Sequence, residues 1–367
     1  MIEFKDLTLR EGAQVPGLQI DEAAGKAVLT HLDSLDVSRV EISFPRAAPR
    51  ESWYRHADSL GLRTAALARA MPADIDAALA VDPDEVEVII ASSDIQLTHA
   101  LGRSREQARD QLISSVRDVV TAGVDAGVTL MDAMRADEEY LVGTAQAAVD
   151  AGATHVTLAD TTGAGTPDRV TQTVSSVVDA VGDDAFVAIH THDDMGVATA
   201  NAAAGVDAGA TAVDATVGGI GERAGNAPLE EVAVLLTERG DPVAITHSSL
   251  VPVCRAIHET LGVDIDQGKP VIGERAYRHE SGMHTAAMLA APESYEPFDP
   301  ARYGGDRELL FGHDSGRGAV RALLESIAVE PTAEAVAAGL AALRAAAEDN
   351  DGPVSAAEAR RVLRERR

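Results

Sequence analysis

His190-Thr191-His192 sets two imidazoles two residues apart. On a strand that spacing sends both rings to one face, and at a strand end they can grip a divalent metal together. The same pattern also fits a pair of satisfied core histidines. Asp193 and Asp194 follow directly, either as an acceptor that orients an imidazole or as a solvated turn. A second segment, Asp6-Leu7-Thr8-Leu9-Arg10-Glu11-Gly12-Ala13-Gln14, places an arginine beside a carboxylate. Burying that pair is costly unless both groups have work. Glu11 can supply a third metal ligand, and Arg10 can bind a carboxylate or oxyanion; an ordinary salt-bridged turn is the alternative. Gly218-Gly219-Ile220-Gly221-Glu222-Arg223-Ala224-Gly225-Asn226 lacks the glycine spacing of a dinucleotide fingerprint. It reads as a tight turn, with Glu222 and Arg223 as a structural ion pair. His279-Glu280-Ser281-Gly282-Met283-His284, Tyr295 and His313-x-Ser315-Gly316-Arg317 concentrate further histidines late in the chain, as contributors to a site or as exposed loop residues.

Short β-branched runs must position these groups. They predict strands near Ile2–Leu7, Arg39–Phe44, Arg63–Ala68, Val86–Ala91, Val128–Asp132, His155–Ala159, Phe186–His192 and Thr211–Val217. Helices are predicted over Asp21–Leu35, Arg103–Ala122, Asp137–Ala151 and Pro167–Val181, the last with Thr166 as cap and Pro167 in the first position. Ala126-Gly127, Ala151-Gly152-Ala153 and Ala208-Gly209-Ala210 each read as a helix stop before a strand. Eight strand–helix units predict an α/β fold, a closed (β/α)₈ barrel; an open doubly wound sheet leaves strands at an edge. Polar residues at nearly every strand end favour closure. From Thr246 the rhythm breaks at Pro252, Pro270, Pro292, Pro297 and Pro300, and helices follow over Pro331–Glu348 and after Ser355, where Ser355-x-x-Glu358 is a capping box. The expected division is a catalytic barrel over 1–245 and a smaller, mostly helical domain over 246–367.

The formal charge of −28 argues against nucleic acid as a partner, because phosphate recognition needs clustered basic groups. Lysine occurs only at Lys5, Lys26 and Lys269. A Lys-poor acidic surface suits a salt-rich cytoplasm, where screening weakens self-repulsion. The single cysteine, Cys254, excludes an internal disulfide and reads as an ordinary buried residue. The first residues lack the apolar core of a signal peptide, and no run is long enough to cross a membrane, so a cytoplasmic protein is expected.

Asp6–Gln14, Glu41–Pro45, Asp132–Arg135, Asp160-Thr161-Thr162-Gly163, His190–Asn201, Gly219–Asn226, His279–His284 and Phe311–Gly318 together resemble the isopropylmalate, homocitrate and citramalate synthases. These are TIM-barrel enzymes that use a divalent metal for a Claisen-like condensation. The resemblance runs almost from end to end. It implies that Glu11, His190 and His192 ligate the metal (Mg, Mn, Zn or Co), with acetyl-CoA as co-substrate. It implies that Arg10 binds the 2-oxo acid and steadies the oxyanion, that Thr161 meets the oxo-acid carboxylate, and that His284 with Tyr295 moves protons. A homodimer whose second domain reaches the partner's barrel is also implied. Glu rather than Asp after Arg10 leans toward the homocitrate members, and the chain stops where longer relatives continue into a regulatory domain, which implies no feedback control by that route.

Four positions depart from the family pattern. Gln96 stands where a histidine is usual, Met131 where a glutamate is usual, and Gly218 and Asp193 replace asparagines. Gln96, Met131 and Arg135 thus become candidates for reading the oxo-acid side chain, and His284 the leading base. The same departures motivate an alternative, a metal-dependent aldolase or lyase that cleaves a hydroxyacyl substrate. A degenerate scaffold is disfavoured by the survival of Arg10, Glu11, Thr161, His190 and His192 together.

Overall fold

The computed structural model describes residues 1–365. Eight parallel strands close a barrel in chain order: β1 (Glu3–Asp6), β2 (Arg39–Ser43), β3 (Thr64–Arg69), β4 (Glu85–Ala91), β5 (Asp125–Met131), β6 (His155–Asp160), β7 (Phe186–Thr191) and β8 (Ala212–Ala215). Closure is direct, since Lys5 of β1 lies in register with Arg39 of β2 on one side and Asp214 of β8 on the other. The period-two alternation of each strand sends Val40 and Ile42, Val86 and Val88, Val128 and Leu130, and Val156 and Leu158 toward the surrounding helices, where all are buried. The opposite face turns inward. In the lower half of the barrel it carries charge rather than hydrocarbon: Lys5, Glu41, Glu85, Glu87, His155 and Asp214 are all buried there.

Helix Pro167–Val181 begins where predicted, with Thr166 at the cap position, although the Thr166 side chain makes no capping bond. Ser355 accepts the Glu358 N–H at 3.3 Å, as a capping residue should. Gly152 (φ 108°) and Gly209 (φ 105°) follow helices in the left-handed region that the sequence assigned them. Gly127 does not. Helix Arg105–Thr121 ends earlier, Gly123 (φ 81°) makes the turn, and Gly127 lies inside β5. A Cβ there would sit 2.3 Å from the His155 ring and 2.5 Å from Glu87 Oε2, so this glycine makes room for the charged interior.

The first compact unit runs through Ile265, later than the 245/246 division read from the sequence. Helix Leu250–Leu261 belongs to it, burying Leu250, Val251, Cys254 and Ile257 and packing on helix Glu22–Asp33. Pro252 does not break this helix because it sits in the first turn, where its missing N–H has no intrahelical partner to lose. The second unit, from Asp266, is mostly helical, with helices Gly282–Met288, Arg317–Ser326, Ala333–Asp349 and Ala356–Glu365. They enclose a small sheet of β9 (Arg278–His279), β10 (Glu308–Phe311) and β11 (Val354–Ser355). Phe311, Val320, Leu323, Leu343 and Leu363 form its core. Among the described residues no helix is long and apolar enough to cross a membrane.

Candidate metal centre at the barrel mouth

The carboxyl ends of β1 and β7 bring the first site together. After β1 the chain turns at once into the short helix Thr8–Gly12, which carries Arg10 and Glu11. Asp6 fixes that turn: its carboxylate accepts the Thr8 N–H at 2.9 Å and the Thr8 hydroxyl at 2.8 Å. The same hydroxyl accepts the Val217 N–H at 2.8 Å, tying the β1 turn to the loop after β8. His190 is the last inward-facing residue of β7, one before its end, and His192 follows two residues on, bridged to Asn226 of the glycine-rich loop. Nε2 of His190 lies 3.1 Å from Nε2 of His192 and 3.9 Å from Glu11 Oε1. All three side chains are buried, and one ligand atom from each lies within 4.8 Å of the others.

Burial pushes the Glu11 carboxyl up, but its surroundings, the Arg10 guanidinium foremost, hold the group down at about 2. Burial drives His190 well below its usual range, reinforced by His192, and burial likewise lowers His192. The site therefore presents one carboxylate and two neutral imidazoles, the protonation state a cation requires. Two nitrogens 3.1 Å apart can share only one proton, and among the described residues Glu11 Oε2 and His192 Nδ1 have no hydrogen-bond partner despite being sealed from solvent. The donor set fits a divalent cation. Arg10 is fixed beside it by ion pairs to Glu11 and Glu41 and by a 3.0 Å bond to Gln14.

The profile of the HMGL-like family matches residues 1–257, and that of the homocitrate synthase post-HMGL domain-like family matches residues 271–351. The chain belongs to the HMGL-like family. A homocitrate synthase, AksA, of Methanopyrus kandleri is 38% identical over 335 residues, covering 90% of this chain and 84% of that protein. A 2-isopropylmalate synthase of Sulfolobus acidocaldarius is 35% identical over 329 residues, covering 88% and 85%. A homocitrate synthase of Frankia alni is 37% identical over 333 residues, covering 88% and 93%. Among solved structures, the HMG-CoA lyase of Pseudomonas aeruginosa superposes with a TM-score of 0.64 at 22% identity, covering 72% of this chain and 94% of that one. The HMG-CoA lyase of Bacillus subtilis gives 0.64 at 21%, covering 72% and 95%. These two share the fold.

In this HMGL-like barrel, Met131 closes β5 on the layer of His190, through the register Met131–Ala159–His190. Gln96 lies in the helical turn after the neighbouring β4, with its buried Oε1 lacking a partner among the described residues. Thr161, just past β6, accepts the Asp132 N–H at 2.8 Å, which leaves its own hydroxyl proton to donate. Arg135 is held in a two-pronged pair with Asp132, both bonds 2.8 Å. His284 and Tyr295 belong to the second unit, where their rings stack with centroids 3.9 Å apart. The structure thus gathers Arg10, Glu11, His190 and His192 at one point, sets Gln96, Met131, Thr161 and Arg135 at the same end of the barrel, and pairs His284 with Tyr295.

Neither aspartate after the histidine pair orients an imidazole. Asp193 instead caps the next helix by accepting the Ala198 N–H at 2.8 Å. Asp194 clamps Arg223 at 2.8 and 2.9 Å, and Arg223 also donates to the Thr161 carbonyl at 2.9 Å, a structural role as expected. The carboxylate facing His190 Nδ1 is Asp214 of β8, at 3.8 Å. Sequence reading gave no role to Asp214 or to Asn226, whose buried amide lies beside Glu11. Asn226 had one available signal: a lone amide ending a glycine-rich rim loop.

Proposed function

We propose that this chain joins the acyl group of acetyl-CoA to a 2-oxo acid, with a divalent cation held by Glu11, His190 and His192. The observation that carries the reading is this buried triad, with unpartnered ligand atoms, beside Arg10 at the barrel mouth. The names of the relatives support the reaction class. When bound, the cation supplies Lewis acidity toward the 2-oxo group. Arg10, already aimed by Glu41, faces the oxygen on which negative charge develops. Thr161 donates its hydroxyl proton to the oxo-acid carboxylate. The stacked His284, helped by Tyr295, removes the α-proton of the acyl group. The resulting enolate carbon bonds to the ketone carbon, whose oxygen takes up a proton to become the hydroxyl, and water then cleaves the thioester, giving a 2-hydroxy dicarboxylic or tricarboxylic acid and free CoA. Met131 and Gln96, on neighbouring strand ends, read the oxo-acid side chain. We include a homodimer in the proposal, with the second unit of one subunit serving the barrel of the other.

The test is free-thiol release from acetyl-CoA with Mg, Mn, Zn or Co and a panel of 2-oxoglutarate, 2-oxoisovalerate and pyruvate. Release with one acid is expected; silence across the panel rejects the condensation, and cleavage of a hydroxyacyl substrate would then establish the lyase. Mixing inactive H192A and H284A proteins tests the shared site. Recovery of activity on mixing is the expected result, and none rejects the exchange of units between subunits.

A further inference from the structure

Beneath the cation ligands, the interior of the barrel holds a lysine with three carboxylates around it. Lys5 is 3% exposed, and its Nζ lies 3.0 Å from Glu87 Oε2, 3.3 Å from Asp214 Oδ2 and 3.9 Å from Glu41 Oε2. Two of those acids lead upward. Glu41 accepts the Arg10 Nε–H through its other oxygen, Oε1, and Asp214 presents the oxygen nearest Lys5 to His190 Nδ1 at 3.8 Å. Glu87 leads sideways instead, accepting from Thr129 and pairing with His155 at 2.9 Å. A buried lysine with only a packing duty would be better replaced by hydrocarbon, because desolvating an ammonium is costly.

We propose that Lys5 is a positioning residue for the site above it: by anchoring Glu41 and Asp214 it fixes the Arg10 guanidinium and the plane of the His190 ring. The inference rests on reading Glu11, His190 and His192 as cation ligands. Without the ammonium, Glu41 and Asp214 lose the cation that holds them in place, and with it go the acceptor that aims Arg10 and the carboxylate that faces His190. Metal-ligating histidines are commonly oriented this way through their second nitrogen, and removing such support typically weakens metal binding about 10- to 100-fold.

Deleting Lys5 alone would leave buried like charges and could prevent folding, so the experiment uses K5M/E87Q, which removes one cation and one anion together. Glu87→Gln alone is the control, since it leaves Lys5 on Glu41 and Asp214. The readouts are thermal midpoint and Mn²⁺ affinity by calorimetry. The expected result is a midpoint for K5M/E87Q close to that of E87Q, with Mn²⁺ bound roughly 10- to 100-fold more weakly. Equal Mn²⁺ affinity in the two variants overturns the proposal, because charge balance alone would then account for Lys5. Should K5M/E87Q not fold, D214N cuts the arm to His190 while Lys5 stays on Glu87 and Glu41. A loss of tenfold or more supports the proposal and an unchanged affinity overturns it. Failure of the wild-type protein to bind Mn²⁺ would reject the ligand reading itself, and this inference with it.

Discussion

Thr8→Val isolates the knot that holds the first turn of the site. The substitution nearly conserves volume, and Thr8, Asp6 and Val217 are all fully buried, so packing changes little. What is lost is one hydroxyl that donates to Asp6 at 2.8 Å and accepts from Val217 at 2.8 Å. An orphaned buried group costs roughly 1–3 kcal/mol, and two are created, so the expected destabilisation is about 2–6 kcal/mol. Its pH dependence is distinctive. Burial pushes the Asp6 carboxyl up to about 7 against the Thr8 hydrogen bonds, from 3.8 for an ordinary aspartate. The folded state therefore holds an extra proton between about pH 4 and 7, and this group's contribution to stability falls as pH rises through that window, then levels. Valine removes a bond that favours the ionised form, raises the folded pKa further and extends the decline. The penalty should be larger at about pH 8.5 than at about pH 5.5 by roughly 1 kcal/mol. Urea unfolding of both proteins at both pH values measures it. A penalty below about 1 kcal/mol, or one larger in acid, would refute this account of the turn.

His192→Ala should weaken Mn²⁺ binding by more than about 100-fold while the apo protein keeps its fold; calorimetry with an unchanged Kd would remove His192 from the ligand set. His284→Ala should lower kcat by about 10²–10⁴ with little change in KM for the oxo acid, and a variant of full activity would assign the base elsewhere. Gly25→Ala should destabilise the first unit by roughly 1–3 kcal/mol, because the new Cβ would meet Trp53 at 2.2 Å; a neutral result in urea unfolding would show that the indole can shift.

Strand positions and barrel closure were legible because β-branched runs, turn glycines and their number all agreed. The convergence of Glu11, His190 and His192 was legible because Glu11 lies shortly past the first of those runs and the two histidines close the seventh. The charged interior was not. Glu85-Val86-Glu87-Val88 reads as a half-exposed strand with its acids in water, and Lys5 and Asp214 follow the same alternation. Closure turns that polar face inward, a tertiary event with no local signature. Gly127 was misread for the related reason that its neighbour, His155, is distant in sequence. Pro252 read as a break because a first-turn proline and a helix breaker look alike until the helix start is known.

The interior ion pairs divide this molecule's electrostatics into two populations. Dissolved ions can crowd around the exposed carboxylates that help give the chain its net charge of −28, whereas Lys5, Glu87 and Asp214 are buried from solvent. In the folded state, salt therefore acts chiefly on the outer shell, while the buried pairs beneath Glu11, His190 and His192 are screened far less.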